Sequence, residues 1–124
     1  MTITSPNLSV HVVLAPGQLP LQAEPAALEK TLARWVGKED GLICQSGYSA
    51  NLGLLQAIAD PQTPVYLDSL AHTSLWEGAR RAGAPMHAFH HNDPQHLERL
   101  VSRHGPGVVV VDSVYSTTGA LCPL

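Results

Sequence analysis

From residue 25 onward, apolar positions follow two alternating rhythms. Leu28, Thr31, Leu32, Trp35 and Val36 fall at i, i+3, i+4, i+7 and i+8, the spacing of one helical face. Pro25 suits a first helical position and Gly37 a C-terminal stop. Gly41-Leu42-Ile43-Cys44 is short, apolar and bounded by glycine, so it reads as a buried strand. A second helix is expected from about Ser49 to Ala59, ended by Asp60-Pro61. Val65-Tyr66-Leu67-Asp68 reads as the next strand. Ser74 and Glu77, three residues apart, carry a capping-box signature for a helix through about Arg81, with Gly83 as its stop. Met86-His87-Ala88-Phe89 is a further strand. Asp93 then caps a helix with Pro94 at its first position and Leu97, Leu100 and Val101 as its apolar stripe. Val108 to Val111, four β-branched residues without alternation, predict a strand covered on both faces. Strand and helix alternate four times, the pattern of an α/β fold with a parallel sheet and right-handed crossovers.

Residues 1–24 lack either rhythm. Pro6, Pro16, Pro20 and Gly17 break any period, and this stretch is expected to be an irregular leader with one short strand across Ser9–Leu14. The 124 residues are one domain's worth, 44% apolar and 14% charged, which excludes a disordered chain. A net charge of −3 with no basic run argues against nucleic acid. The longest apolar stretches, Val108–Val111 and Val10–Ala15, fall far short of the ~20 residues that span a bilayer. No secretory signal pattern opens the chain, and two cysteines, Cys44 and Cys122, read as reduced thiols. The expectation is a cytoplasmic protein. His87, His90, His91, His96 and His104 invite a metal reading, but strand and helix separate them and no Cys or carboxylate stands at tight ligand spacing. No metal site is expected.

Three segments carry candidate chemistry, each where a strand-like stretch gives way to a turn or helix. In open α/β sheets that edge binds ligands. Ser46-Gly47-Tyr48 points free N–H groups and the positive end of a helix dipole at one spot, which suits a phosphate; a glycine there also serves as a plain turn. His72 follows Asp68, either as a helix-capping residue or as a flat imidazole against an aromatic cofactor. Ser116, within Tyr115-Ser116-Thr117-Thr118-Gly119, fits turn chemistry or a hydroxyl aimed at a ligand.

In order, Ser46-Gly47-Tyr48-Ser49-Ala50-Asn51, Asp68-Ser69-Leu70-Ala71-His72-Thr73-Ser74 and Tyr115-Ser116-Thr117-Thr118-Gly119 resemble the α-oxoamine synthases, PLP-dependent enzymes of the fold-type-I aminotransferase superfamily. Leu75–Arg80 and Arg103–Gly107 narrow the resemblance to the CqsA-type synthases of α-hydroxyketone autoinducers used in quorum sensing. It spans residues 25–124. It implies a three-layer α/β/α architecture, the N-terminal half of a fold-type-I large domain. It also implies pyridoxal 5'-phosphate as cofactor, held at its phosphate by Ser46, Gly47 and Tyr48, with Asn51 bracing that loop. His72 would stack on the pyridine ring, Ser116 would hydrogen-bond near the phenolic oxygen, and Asp112 would support the site.

The implied reaction is acyl transfer from acyl-CoA to an amino-acid-derived amine, with the cofactor as electron sink, in an enzyme that is a homodimer when complete. In this family the lysine that binds the cofactor and the aspartate that holds the pyridine nitrogen lie downstream of Ser116. The only lysines here are Lys30 and Lys38, so the expectation is a fragment with no catalytic residue, inactive alone. The resemblance also puts later strands on both sides of Val108–Val111, leaving only the Val65–Asp68 and Met86–Phe89 strands as direct neighbours. The other reading is a noncatalytic α/β module that binds a phosphorylated small molecule.

Overall fold

The computed structural model describes residues 2–5, 8–11 and 25–123. An antiparallel hairpin joins β1 (Thr2–Ser5) to β2 (Leu8–His11). β2 coincides with the first part of the strand expected at Ser9–Leu14, whose residues 12–14 lie outside the described residues, and β1 is a second strand that was not expected. There follow α1 (Pro25–Trp35), α2 (Gly47–Ile58), β3 (Val65–Asp68), α3 (Thr73–Arg81), β4 (Met86–Phe89), α4 (Pro94–His104) and β5 (Val108–Val110).

The punctuation anticipated from the sequence is largely where the elements end. Gly37 adopts φ +69° after α1, a left-handed stop that glycine takes without steric cost. Asp60 accepts the Gln62 N–H (2.8 Å) and the Thr63 hydroxyl (2.7 Å) after α2, an Asx turn at the expected break. Asp93 caps α4 by accepting the His96 N–H at 2.8 Å.

The sheet is parallel, in the order β4-β3-β5. Side chains alternate across it. Val65, Leu67 and Val110 point to one face and join Leu55, Ala59, Leu75 and Ala79 of α2 and α3. Tyr66, Phe89 and Val111 point to the other and meet Leu97, Leu100 and Val101 of α4. This is a three-layer α/β/α arrangement, and the valine run is indeed covered on both sides. On the α4 side, His87 stacks between Tyr66 and His104, with ring centroids 5.4 and 3.9 Å away. Burial, and then the nearby His104, push the His87 imidazole below its usual pKa.

Two expectations are corrected. Gly41–Cys44 is not a strand; it runs as irregular chain along α1, where the Glu29 carboxylate accepts the Ile43 N–H at 2.9 Å. Its composition suits a strand, but it finds no strand partner among the described residues, and a lone strand leaves its backbone groups unpaired. The Val108–Val110 strand pairs directly with β3, Val65 against Val108 and Leu67 against Val110. It is therefore a neighbour of β3 and is not flanked on both sides by later strands.

Candidate functional site

The carboxyl edge of the sheet gathers the loop after β3, the loop after β5 and the first turn of α2. Ser46 is the N-cap of α2, in extended conformation, and its hydroxyl accepts the Ser49 N–H at 3.0 Å. The N–H groups of Gly47 and Tyr48, at the start of the helix, have no carbonyl partner within it. Tyr48 is 47% exposed, so this turn faces outward.

A chain of hydrogen bonds ties that turn to the other two segments. Asn51, one turn into α2, donates from Nδ2 to the Ser74 hydroxyl at 2.8 Å. Ser74 Oγ lies 2.7 Å from His72 Nδ1, and the Ser74 N–H also points to that nitrogen at 3.2 Å. The His72 N–H in turn donates to Asp112 Oδ2 at 2.8 Å. Because the Ser74 backbone N–H points at Nδ1, that nitrogen is an acceptor, and the Ser74 hydroxyl donates to it while accepting from Asn51. The ring proton of His72 then sits on Nε2, which is the tautomer the local bonds select. The ring itself is exposed.

Sequence reading missed Ser74 as the centre of this network, assigning it only as a helix cap. His72 is the N-cap of α3 instead. The capping box fails because Glu77, which would have to reach back, is bound to Arg80 and Arg81 one turn further on. Of the anticipated site residues, Asn51 and His72 are drawn together, with Asp112 behind His72. Ser46, Gly47 and Tyr48 share the helix start that Asn51 belongs to. Ser116 is exposed, in a turn closed by the Gly119 N–H to the Tyr115 carbonyl at 2.7 Å, and is not part of the network.

Beneath the network lies a second polar centre that sequence reading did not weigh. Asp68, at the end of β3, is completely buried. It accepts N–H bonds from Leu70 (2.8 Å) and Asn92 (2.9 Å) and faces His91 Nδ1 at 3.0 Å. Burial pushes its carboxyl up, but the Asn92 and Leu70 N–H groups together with His91 outweigh that and hold it below the usual value. Tyr115 packs edge-on against His91, centroids 4.4 Å apart. Its hydroxyl is buried beside Asp68 without a hydrogen bond of ordinary geometry, and burial, then the Asp68 carboxylate, push its pKa well up. Cys44 and Cys122 are free thiols.

The network makes a measurable claim. Ser74→Ala should cost about 1–3 kcal/mol in urea denaturation, because the half-buried Asn51, whose Oδ1 is already unpaired, then loses its Nδ2 acceptor as well. Ser46→Ala, at the exposed cap, should cost only ~1 kcal/mol. Equal losses would show that the Ser74 bridge contributes no more than a surface cap.

The parallel three-layer α/β/α sheet is that of part of a fold-type-I PLP transferase large domain, as comparison with known proteins shows. The family described as aminotransferase class I and II matches residues 20–124. CAI-1 autoinducer synthase of Vibrio campbellii is 56% identical over 98 residues, covering 79% of this chain and 25% of that protein. An 8-amino-7-oxononanoate synthase of Chromohalobacter salexigens is 47% identical over 95 residues, covering 74% and 25%. Among solved structures, serine palmitoyltransferase from S. paucimobilis with a bound PLP–myriocin aldimine superposes with a TM-score of 0.73 at 29% identity, covering 77% of this chain and 25% of that one. The chain belongs to the class I and II aminotransferases, within their PLP-dependent α-oxoamine synthase branch. It spans about a quarter of the length of these relatives. No helix among the described residues is long and apolar enough to cross a membrane.

Proposed function

We propose that this chain supplies the phosphate-binding and ring-facing part of the active site of an acyl-CoA:amino-acid C-acyltransferase that makes an α-aminoketone or α-hydroxyketone autoinducer. The observation that carries the reading is the bonded series Asn51–Ser74–His72–Asp112. It holds the start of α2, the imidazole and the loop after β5 in one rigid relation. The 56% identity to an autoinducer synthase supports the choice of product class.

The residues present fit one end and one face of pyridoxal phosphate. The Gly47 and Tyr48 N–H groups, with the Ser46 hydroxyl, would hold the phosphate at the positive end of α2. Asn51, anchored through Ser74, braces that helix start. His72, with Nδ1 tied to Ser74, would present its ring to the pyridine. Ser116 would turn its hydroxyl towards the phenolic oxygen. When bound, the cofactor supplies an electron sink. The substrates of the whole enzyme would be an amino-acid-derived amine and an acyl-CoA, in a cytoplasmic homodimer, with residues 1–24 as a leader and 25–124 as part of the large domain.

These 124 residues alone would not catalyse. Their lysines, Lys30 on α1 and Lys38 just after it, take no part in the network. Pyridoxal phosphate added to the chain should perturb the Gly47 and Tyr48 amide resonances and the His72 ring, whereas inorganic phosphate should perturb the amides alone. Borohydride should trap no specific adduct. Silent amides at Gly47 and Tyr48, or a specific adduct at Lys30 or Lys38, would overturn the reading.

A further inference from the structure

His90, Asp93 and His96 stand on the side of α4 where β4 hands over to the helix, and their side chains converge. One nitrogen from each histidine and one carboxylate oxygen all lie within 4.8 Å of one another. Strand and helix were expected to keep the histidines apart. The chain instead reverses at Asn92, which adopts φ 55°, and the two rings come to 4.2 Å between centroids.

We propose that His90, Asp93 and His96 form an exchangeable site for a borderline divalent transition metal of the zinc, nickel or copper(II) type. This inference is independent of the cofactor reading. Imidazole nitrogen with one carboxylate suits these ions better than magnesium or calcium, which favour all-oxygen shells. Asp93 divides its two oxygens. Oδ1 takes the His96 N–H at 2.8 Å, while Oδ2 faces His90 Nδ1 at 3.7 Å. That second gap is too long for a hydrogen bond. Two ligands on one tetrahedral zinc, each bonded at about 2.1 Å, lie roughly 3.4 Å apart, so this gap needs little closure, while the other pairs, all within 4.8 Å, would draw in by side-chain rotation.

His96 is already in a suitable tautomer. Its Nδ1 accepts the His90 N–H at 3.1 Å, so the Nδ1 lone pair is directed at that N–H and the ring proton sits on Nε2. A metal would take that lone pair in place of the long N–H contact. Two features oppose tight binding. The N-terminus of α4 carries partial positive charge, and the Arg99 charge acts on Asp93. With three protein ligands and His90 exposed, water would complete the shell, as it does in open sites.

The test uses the untagged chain, Zn(II) in competition with a chromophoric chelator, and the visible spectrum of Co(II). One zinc per chain is expected, with no thiolate charge-transfer band in the cobalt spectrum. His90→Gln should weaken binding at least tenfold. His96→Asn should do the same, because its amide oxygen can still accept the His90 N–H while no imidazole remains. Cys122→Ser should change nothing. If His96→Asn unfolds by circular dichroism, His90→Gln at its exposed position decides alone. Unchanged affinity in the folded histidine variants, absence of a stoichiometric site, or loss of binding in Cys122→Ser would overturn the proposal.

Discussion

Asp68→Ala should destabilise the fold by about 3–5 kcal/mol, the range for removing one partner of a buried, hydrogen-bonded charge. The carboxylate is fully buried and satisfies the Leu70 and Asn92 N–H groups and His91 at once. Alanine leaves those donors facing a void beside the unpaired Tyr115 hydroxyl. The loop after β3, which carries His72, both starts and closes on this residue: β3 ends at it, and its carbonyl accepts the Ala71 N–H at 2.9 Å, just before His72. The same variant should therefore loosen His72. Urea denaturation followed by circular dichroism measures the first effect, and amide hydrogen exchange at Ala71 and His72 the second. A loss under 1 kcal/mol would mean that water or rearranged backbone takes over the carboxylate's partners.

The acid limb of stability provides a check on the same residue. The Asp68 carboxyl is held below its ordinary value of 3.8 when folded. A carboxyl depressed in the folded state contributes its full stability above the unfolded pKa. That contribution disappears as pH falls through the folded value. Acidification from about pH 5 downward should thus erode stability in the parent chain, and Asp68→Asn should flatten the part of that slope that Asp68 provides. Asp93, Glu77 and Asp60 are also held low, by the His96 N–H, by Arg81 and by the Thr63 hydroxyl respectively, and would contribute to the slope that remains.

Where the chain announces its structure, it does so through local chemistry. Pro94 behind Asp93, Gly37 and the Asp60 turn each act within a few residues, and the helices end where those residues stand. The doubly covered valine strand was legible because unbroken β-branching has few other uses. Non-local choices were not legible. Gly41–Cys44 has the composition of a strand but lies along α1, since pairing depends on a neighbour that composition does not name. The adjacency of β5 and β3 is likewise absent from any local pattern. At the candidate site, the spacing Asp68-x-x-x-His72-x-Ser74 marked the loop in which His72 and Ser74 are hydrogen-bonded. Which residue would bridge it to Asn51 depended on how closely α2 and α3 pack. They meet at Gly78, where an added Cβ would stand 3.0 Å from Leu55 Cβ. That close approach brings Asn51 Nδ2 onto Ser74 rather than onto solvent.

Gly107→Ala should be among the most damaging single-methyl additions to this chain. A Cβ there would lie 2.1 Å from the Pro64 carbonyl oxygen and 2.9 Å from its carbon, both backbone atoms that no side-chain rotation can move. Pro64 O is also the acceptor of the Val108 N–H at 2.8 Å, the bond that opens the β3–β5 ladder. Relief of the clash therefore has to displace the start of β5, at a cost of about 3 kcal/mol, the upper end for overpacking. Gly105→Ala isolates the backbone effect: its φ of +91° with ψ −179° is a region essentially confined to glycine, but its Cβ would meet nothing within 4 Å, so strain alone should cost roughly 1–3 kcal/mol. The displaced strand should also reach the site. Asp112 lies two residues beyond the end of β5, and its carboxylate holds the His72 N–H. Hydrogen exchange at His72 should therefore quicken in Gly107→Ala and stay near the parent rate in Gly105→Ala. Equal destabilisation in the two variants, with His72 protected in both, would mean that the β5 register does not position the imidazole.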